Sequence, residues 1–170
     1  AVEDGELQWI DRTSNDAPLR LTLVNMSLRN AGNRHHLEFE AVFPRNLCNE
    51  CRFVADVSGN PLVGEAWDGE VYLRAKGVNT RTLPAIVRER LPSGLEGRLT
   101  AQLWSEWQAA RPVAARGRIE AAALQLPLSG VRPVAIKEVA ADVKWSGSSD
   151  GRRWRLDLDH ASIGLSSKPW

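Results

Sequence analysis

No run of apolar residues approaches the roughly 20 that a membrane-spanning helix needs. The first residues, AVEDGELQW, lack the basic start and apolar stretch of a secretory signal. A surplus of one charge sign is also missing: 22 Lys and Arg stand against 21 Asp and Glu, a net charge of +1. A nucleic-acid binder gathers excess Lys and Arg on one face, so no nucleic-acid partner is expected. Histidine is scarce at three residues and cysteine at two. No G-x-S-x-G, glycine-rich phosphate loop or spaced metal cluster appears, and we expect neither an enzyme nor a cofactor.

What is present in excess is tryptophan, seven residues against one Tyr and three Phe. Trp9, Trp104, Trp107, Trp145 and Trp154 fall in segments that read as strands, where large rings suit a pleated, half-buried surface. The 170 residues fit one domain, residues 1–170, with enough chain to bury a core. The chain begins at Ala1 without a Met and stops at SSKPW directly after a strand-like segment, so we read it as a piece of a longer polypeptide.

Period-two alternation dominates, the mark of strands with one apolar face. In RHHLEFEAVFP, His35, Leu37, Phe39, Ala41 and Phe43 share one face, and Arg34, His36, Glu38 and Glu40 the other. EVYLRAK sets Val71, Leu73 and Ala75 against Glu70, Tyr72, Arg74 and Lys76. GLEGRLTAQLWSEWQ places Leu95, Leu99, Ala101, Leu103 and Trp107 opposite Glu96, Arg98, Thr100, Gln102, Trp104 and Glu106. VAADVKW and RWRLDLD repeat the pattern with Val139, Ala141, Val143, Trp145, Trp154, Leu156 and Leu158, joined by a GSSDG hairpin loop (147–151).

Three departures are informative. LRLTLVNMSLRN alternates less cleanly. RIEAAALQLPL changes phase between Ala121 and Leu124, which predicts a bulge or bend. NTRTLPAIVRERL predicts one short helix near 80–91: Asn79, Thr80 or Thr82 caps it, Pro84 is tolerable in the first turn, and Leu83, Ile86, Val87 and Leu91 form a stripe.

The fold class is therefore mainly β, a long antiparallel meander with one apolar face and one short helix. One helix covers too little of some eight strands. Either the sheet folds on itself as a closed sandwich or barrel, serving as a scaffold or protein-interaction module, or its face is a groove for an apolar ligand. Strands of this length span about 45 Å at ~3.3 Å per residue, which suits an elongated groove.

The stretch WDGEVYLRAKGVNTRTLPAIVRERLPSGLEGRLTAQLWSEWQ, followed by RGRIEAAALQL and ADVKWSGSSDGRRWRLDLDHASI, resembles the N-terminal periplasmic region of the AsmA-like family of Gram-negative bacteria, in its YhdP subgroup. The shared elements are the GEVYLRA strand, the short helix, the G-L-x-G-x-L-x-A-Q-L-W strand and the terminal W-R-L-D-L hairpin. The resemblance implies a long curved sheet with a one-sided apolar groove that carries glycerophospholipids toward the outer membrane. It implies a periplasmic location within a protein anchored in the inner membrane through a segment outside this chain. The expected partners are phospholipid acyl chains and the remainder of the same polypeptide. The candidate groove-lining residues are Leu73, Leu99, Ala101, Leu103, Trp107, Val143, Trp145, Leu156 and Leu158.

The sharpest local motif is CNEC. Cys48 and Cys51 are candidates for a short-range disulfide in an oxidising compartment, or are idle thiols. A redox-active pair wants a helix N-terminus and a βαβ context that the sequence does not offer. A zinc site would recruit His35 or His36 at an unfamiliar spacing. Those two histidines point to opposite faces of one strand, and Asp157 and Asp159 read as a solvated face rather than a carboxylate pair. Tyr72 and Trp104, on polar faces, cover the back of the sheet or meet a partner.

Overall fold

The computed structural model describes residues 1–10, 18–60, 63, 67–83, 96–126, 134–148 and 153–165. Nine strands run in chain order: β1 (Val2–Trp9), β2 (Leu19–Ala31), β3 (Arg34–Val42), β4 (Glu50–Gly59), β5 (Trp67–Asn79), β6 (Glu96–Gln108), β7 (Arg111–Leu126), β8 (Val134–Gly147) and β9 (Trp154–Leu165). Each pairs antiparallel with the next, giving one open sheet in the order β1 to β9. The fold is mainly β, an antiparallel meander, as the alternation predicts.

The short connections follow from turn chemistry. Gly32, at φ 63°, supplies the positive φ that the two-residue β2–β3 turn requires. The β6–β7 turn uses two alanines instead, Ala109 at φ 48° and Ala110 at φ 58°. That conformation costs an L-residue energy, and two bonds offset it: the Ala109 amide donates to Asp68 Oδ1 at 2.7 Å, and the Ala110 amide to the Trp67 carbonyl at 2.9 Å. The β8–β9 hairpin forms around the predicted loop, with Gly147 opposite Trp154 and the Ser148 amide bonded to the Arg153 carbonyl; residues 149–152 lie outside the described residues.

Bulges account for the irregular stretches. Leu23, at φ 47°, adds a residue between Thr22 and Asn25, so Leu21 and Val24 reach the same face at a spacing of three. Ala123, at φ 53°, sits where the β6–β7 register slips between Arg98 and Glu96, the bulge predicted near Ala121. Gly77, at φ 64°, bulges β5 against β6, and a Cβ there would lie 2.5 Å from the Asn49 side chain.

The helix expected near 80–91 differs. Asn79 does cap the start, accepting from the Arg81 amide, but Thr80–Thr82 is a single 3₁₀ turn. Leu83 is extended (φ −62°, ψ 141°), because the ring of Pro84 disfavours helical geometry in the residue before it. The stripe from Ile86 to Leu91 lies outside the described residues.

Burial is concentrated in two places. Leu21, Val24 and Ala41 pack with Leu19, Phe39 and Phe43 across β2 and β3. At the other, the β3–β4 loop folds onto the end of β5, burying Leu47, Cys48 and Thr80. There the Asn49 amide donates to Lys76 O at 2.9 Å, and the Asn79 amide to Leu47 O at 2.8 Å. Thr80 Oγ1 meanwhile bridges both backbone groups of Gly97. Elsewhere Ala55 and Ala121 are buried singly, and the other described strand side chains are half-buried or exposed. The chain exposes 12312 Å², against about 8,300 Å² expected of a compact monomer of its 18.8 kDa mass. Among the described residues no second sheet or helical layer covers either face, which corrects the closed-sandwich expectation. Alternation alone is the same whether or not a second layer sits above the apolar side chains.

Candidate functional site

Residues directly opposite across antiparallel strands project to the same side, so the register assembles the site. One cross-strand row reads Met26, Phe39, Phe53, Leu73, Leu103, Gly117, Val143, Leu158 from β2 to β9. A parallel row reads Leu28, Leu37, Ala55, Val71, Ser105, Ala115, Trp145, Leu156. A third runs Ala41, Cys51, Ala75, Ala101, Ile119, Ala141, and Leu99 follows beside Val78 and Ala121. None of these positions carries a charge.

All nine candidate residues thus lie on one face. Leu73, Leu103, Val143 and Leu158 fall in a single row; Trp145 and Leu156 share the next; Ala101 and Leu99 continue toward one end of β6, and Trp107, opposite Gly69, toward the other. Trp107 stacks on Trp67 with centroids 5.4 Å apart, and its indole nitrogen donates to Ser105 Oγ at 2.9 Å. The face is open to solvent toward the sheet edges, where Leu28 and Leu158 are each 56% exposed and Leu156 49%; between them Phe53, Leu103 and Val143 are half-buried and Ala55 is buried. Gly117 leaves a gap between Leu103 and Val143, and a Cβ there would lie 1.9 Å from the Gln102 carbonyl oxygen.

Sequence reasoning omitted Phe39, Phe53, Leu37 and Ile119 from this surface. The alternation of Leu37 and Phe39 already carried the signal; what was missing was the register linking β3 and β4 to β5. Both β1 and β2 extend the face further, with Leu7 opposite Leu21 and Val2 opposite Met26.

The reverse face is charged and paired. Arg118 bonds Glu120 at 2.8 Å and Asp142 at 3.0 Å, and Asp142 also meets His160 at 3.0 Å. These contacts, Arg118 foremost, hold the Asp142 carboxyl below its ordinary pKa. Glu50 is held down likewise by its bond to Lys76 at 2.9 Å, with Arg74 beside it. Tyr72 and Trp104 sit on this face as a tilted pair, centroids 5.0 Å apart.

Cys48 and Cys51 are joined as a disulfide. His35 bonds Asn30 Oδ1 and the Gly59 carbonyl on the apolar face. His36, across the strand, bonds Asp56 and Glu38, which raise its pKa. The described residues contain no group of three His, Cys, Asp or Glu placed to hold a metal ion. Asp157 is tied to Arg155 at 2.9 Å, while Asp159 lies opposite Asp142 one row away.

The fold and face define a class: an open antiparallel meander whose apolar side has no covering layer among the described residues. Comparison with protein-family models, with curated proteins and with solved structures returns no match for this chain. No helix among the described residues is long and apolar enough to cross a membrane.

Proposed function

We propose that this chain is a section of a bridge-like β-groove that carries glycerophospholipids between the inner and outer membranes of a Gram-negative envelope. In this reading it belongs to a periplasmic protein of the AsmA-like type, anchored in the inner membrane by another part of the polypeptide. The observation that supports it is the set of charge-free cross-strand rows spanning β2 to β9, which no second layer covers among the described residues. An open apolar face this wide is a liability in water unless something apolar occupies it.

Acyl chains suit the surface physically. About ten methylenes in contact contribute about 8 kcal/mol gross at ~0.8 kcal/mol each, before the cost of association. Because the rows carry no charge and Ser105 is their one hydroxyl, no position grips a chain more than its neighbours, which favours sliding along the face. The chain performs no chemistry in this role, and lipid is its cargo.

The test is photocrosslinking in cells from single positions. A photoreactive residue at Leu103 or Val143 captures phospholipid, and the same residue at Gln102, on the reverse face, does not. Capture at Gln102 alone, or at none of the three, sinks the proposal.

A further inference from the structure

The charged face holds a second feature that an acyl conduit leaves unused. A hollow of about 480 Å³ crosses β4 to β8 there, within the usual size range of small-molecule sites. Its floor is built from two cross-strand rows and from the strand segments between them at Val71, Ser105, Ala115 and Trp145. One row runs Asp56, Glu70, Glu106, Ala114, Ser146, and the other Val54, Tyr72, Trp104, Arg116, Lys144.

The charges in these rows are segregated. Asp56 faces Glu70, and Glu70 faces Glu106, three carboxylates in line across about 10 Å of sheet, of which Asp56 is already bonded to His36 at 2.6 Å. Arg116 faces Lys144 in the same way, and on its other side Lys144 faces Asp157, a carboxylate already bonded to Arg155. Like charges directly opposite destabilise a sheet. Like charges also face each other elsewhere on this face, Arg52 opposite Arg74 and Asp159 opposite Asp142, but there Arg74 bonds Glu50 and Asp142 bonds Arg118. Glu70, Glu106, Arg116 and Lys144 form no ion pair with another described residue, although Glu106 and Arg116 are diagonal neighbours at roughly 7–8 Å. Small Ala114 and Ser146 leave the space beside the two cations empty. The Tyr72–Trp104 pair lies between the acidic and basic ends.

We infer that this hollow binds a small zwitterion bearing an ammonium group and a phosphate. The ammonium lies against the Trp104 face and the carboxylates of Glu70 and Glu106, where the aromatic quadrupole and the charges act together. The phosphate bridges Arg116 and Lys144; its several oxygens satisfy two facing cations, which one carboxylate does less well. Occupancy neutralises the unpaired Glu70 and Glu106 at one end and Arg116 and Lys144 at the other. The site is on the opposite face from the apolar rows and does not depend on the conduit reading. Aminophosphate chemistry of this kind belongs to free phosphocholine-type compounds and to zwitterionic lipid headgroups alike.

The experiment titrates the chain with phosphocholine, with choline alone and with inorganic phosphate alone, following the Trp104 indole resonance by NMR. Phosphocholine is expected to bind saturably and at least about tenfold more tightly than either half, because both ends contribute. The double variant Glu70→Gln, Glu106→Gln brings its affinity down to that of phosphate, and Arg116→Gln, Lys144→Gln down to that of choline. These side chains are exposed, and an unchanged far-UV CD spectrum confirms that each variant folds. Co-sedimentation with phosphatidylcholine vesicles, competed by phosphocholine, assigns the zwitterion to a lipid headgroup; binding of phosphocholine without co-sedimentation assigns it to the free compound. The inference is overturned if phosphocholine binds no better than its halves, or if both double variants bind it as the parent does. Crosslinking of phospholipid at Leu103 is independent of these variants, so the two proposals fail separately.

Discussion

Leu103 stands mid-row between Leu73 and Gly117, with Ala101 and Ser105 on either side along β6, so a charge there interrupts the apolar face at its centre. We expect Leu103→Asp to weaken binding of a fluorescent-tailed phospholipid, read by anisotropy, without unfolding the sheet. The carboxylate keeps part of its hydration because Leu103 is only half-buried, and an acyl chain must detour around it. A detour that lifts about three methylenes off the face costs about 2.5 kcal/mol at ~0.8 kcal/mol each, or roughly 70-fold in affinity. The control is Gln102→Glu, one residue along the strand and on the reverse face. It sits opposite Arg74 and Arg118 and should leave lipid affinity within about twofold. A parent chain that binds no lipid refutes the reasoning. So does a pair in which Gln102→Glu weakens binding and Leu103→Asp leaves it intact.

Four further outcomes follow from the fold. Cys48→Ser opens a disulfide that spans a sequence separation of 3, and a loop this short implies a loss of about 2 kcal/mol in urea unfolding under oxidising conditions, absent in reductant. Replacing Ala109 and Ala110 by Asn-Gly removes two positive-φ alanines from the β6–β7 turn and should raise stability by about 2 kcal/mol, seen as a higher denaturation midpoint. Gly117→Ala drives a Cβ into the Gln102 carbonyl, forcing β6 and β7 apart at a cost of about 3 kcal/mol in the same assay. Asp56, then Glu38, raise the pKa of His36 in the folded chain. Its contribution is therefore full below the unfolded value of about 6.5 and is lost as pH rises through the higher folded value. His36→Gln should flatten that part of the stability–pH curve, and an unchanged slope would show that the contact contributes nothing.

How much of this was readable beforehand depends on which link is asked about. Side-chain facing was legible at Leu73, Ala101, Leu103, Val143 and Leu158, because a strand fixes direction by parity alone. The face of Leu21 and Val24 was not, since the extra residue at Leu23 shifts parity and Leu is an ordinary strand residue with no signal of positive φ. The 3₁₀ turn in place of a first helical turn was foreshadowed by Pro84, whose effect falls on Leu83 rather than on itself. Whether the apolar face was covered was invisible, because a half-buried strand in a sandwich and one in an open sheet share the same alternation. The segregated charges were invisible too: Asp56, Glu70 and Glu106 meet only through register across β4, β5 and β6, and each stands among polar neighbours unremarkable in its own strand.

The tryptophans of β6 show why one sheet can serve two purposes. Trp104 and Trp107 are three residues apart, and a helix would have placed them side by side. In a strand they part: Trp107 joins Trp67 at the end of the apolar rows, and Trp104 joins Tyr72 in the charged hollow. Each ring is fixed by a partner on its own face, so neither can swing to serve the other. The backbone between them has its hydrogen bonds committed to β5 and β7, which leaves the two surfaces mechanically joined and chemically separate. An apolar face that must stay free of charge and a reverse face that concentrates it are compatible only where parity is strict. The central stretch of β6, from Ala101 to Ser105, keeps register with both neighbours without a bulge; the shift against β5 falls between Leu99 and Ala101, and those against β7 beside Glu96 and Trp107.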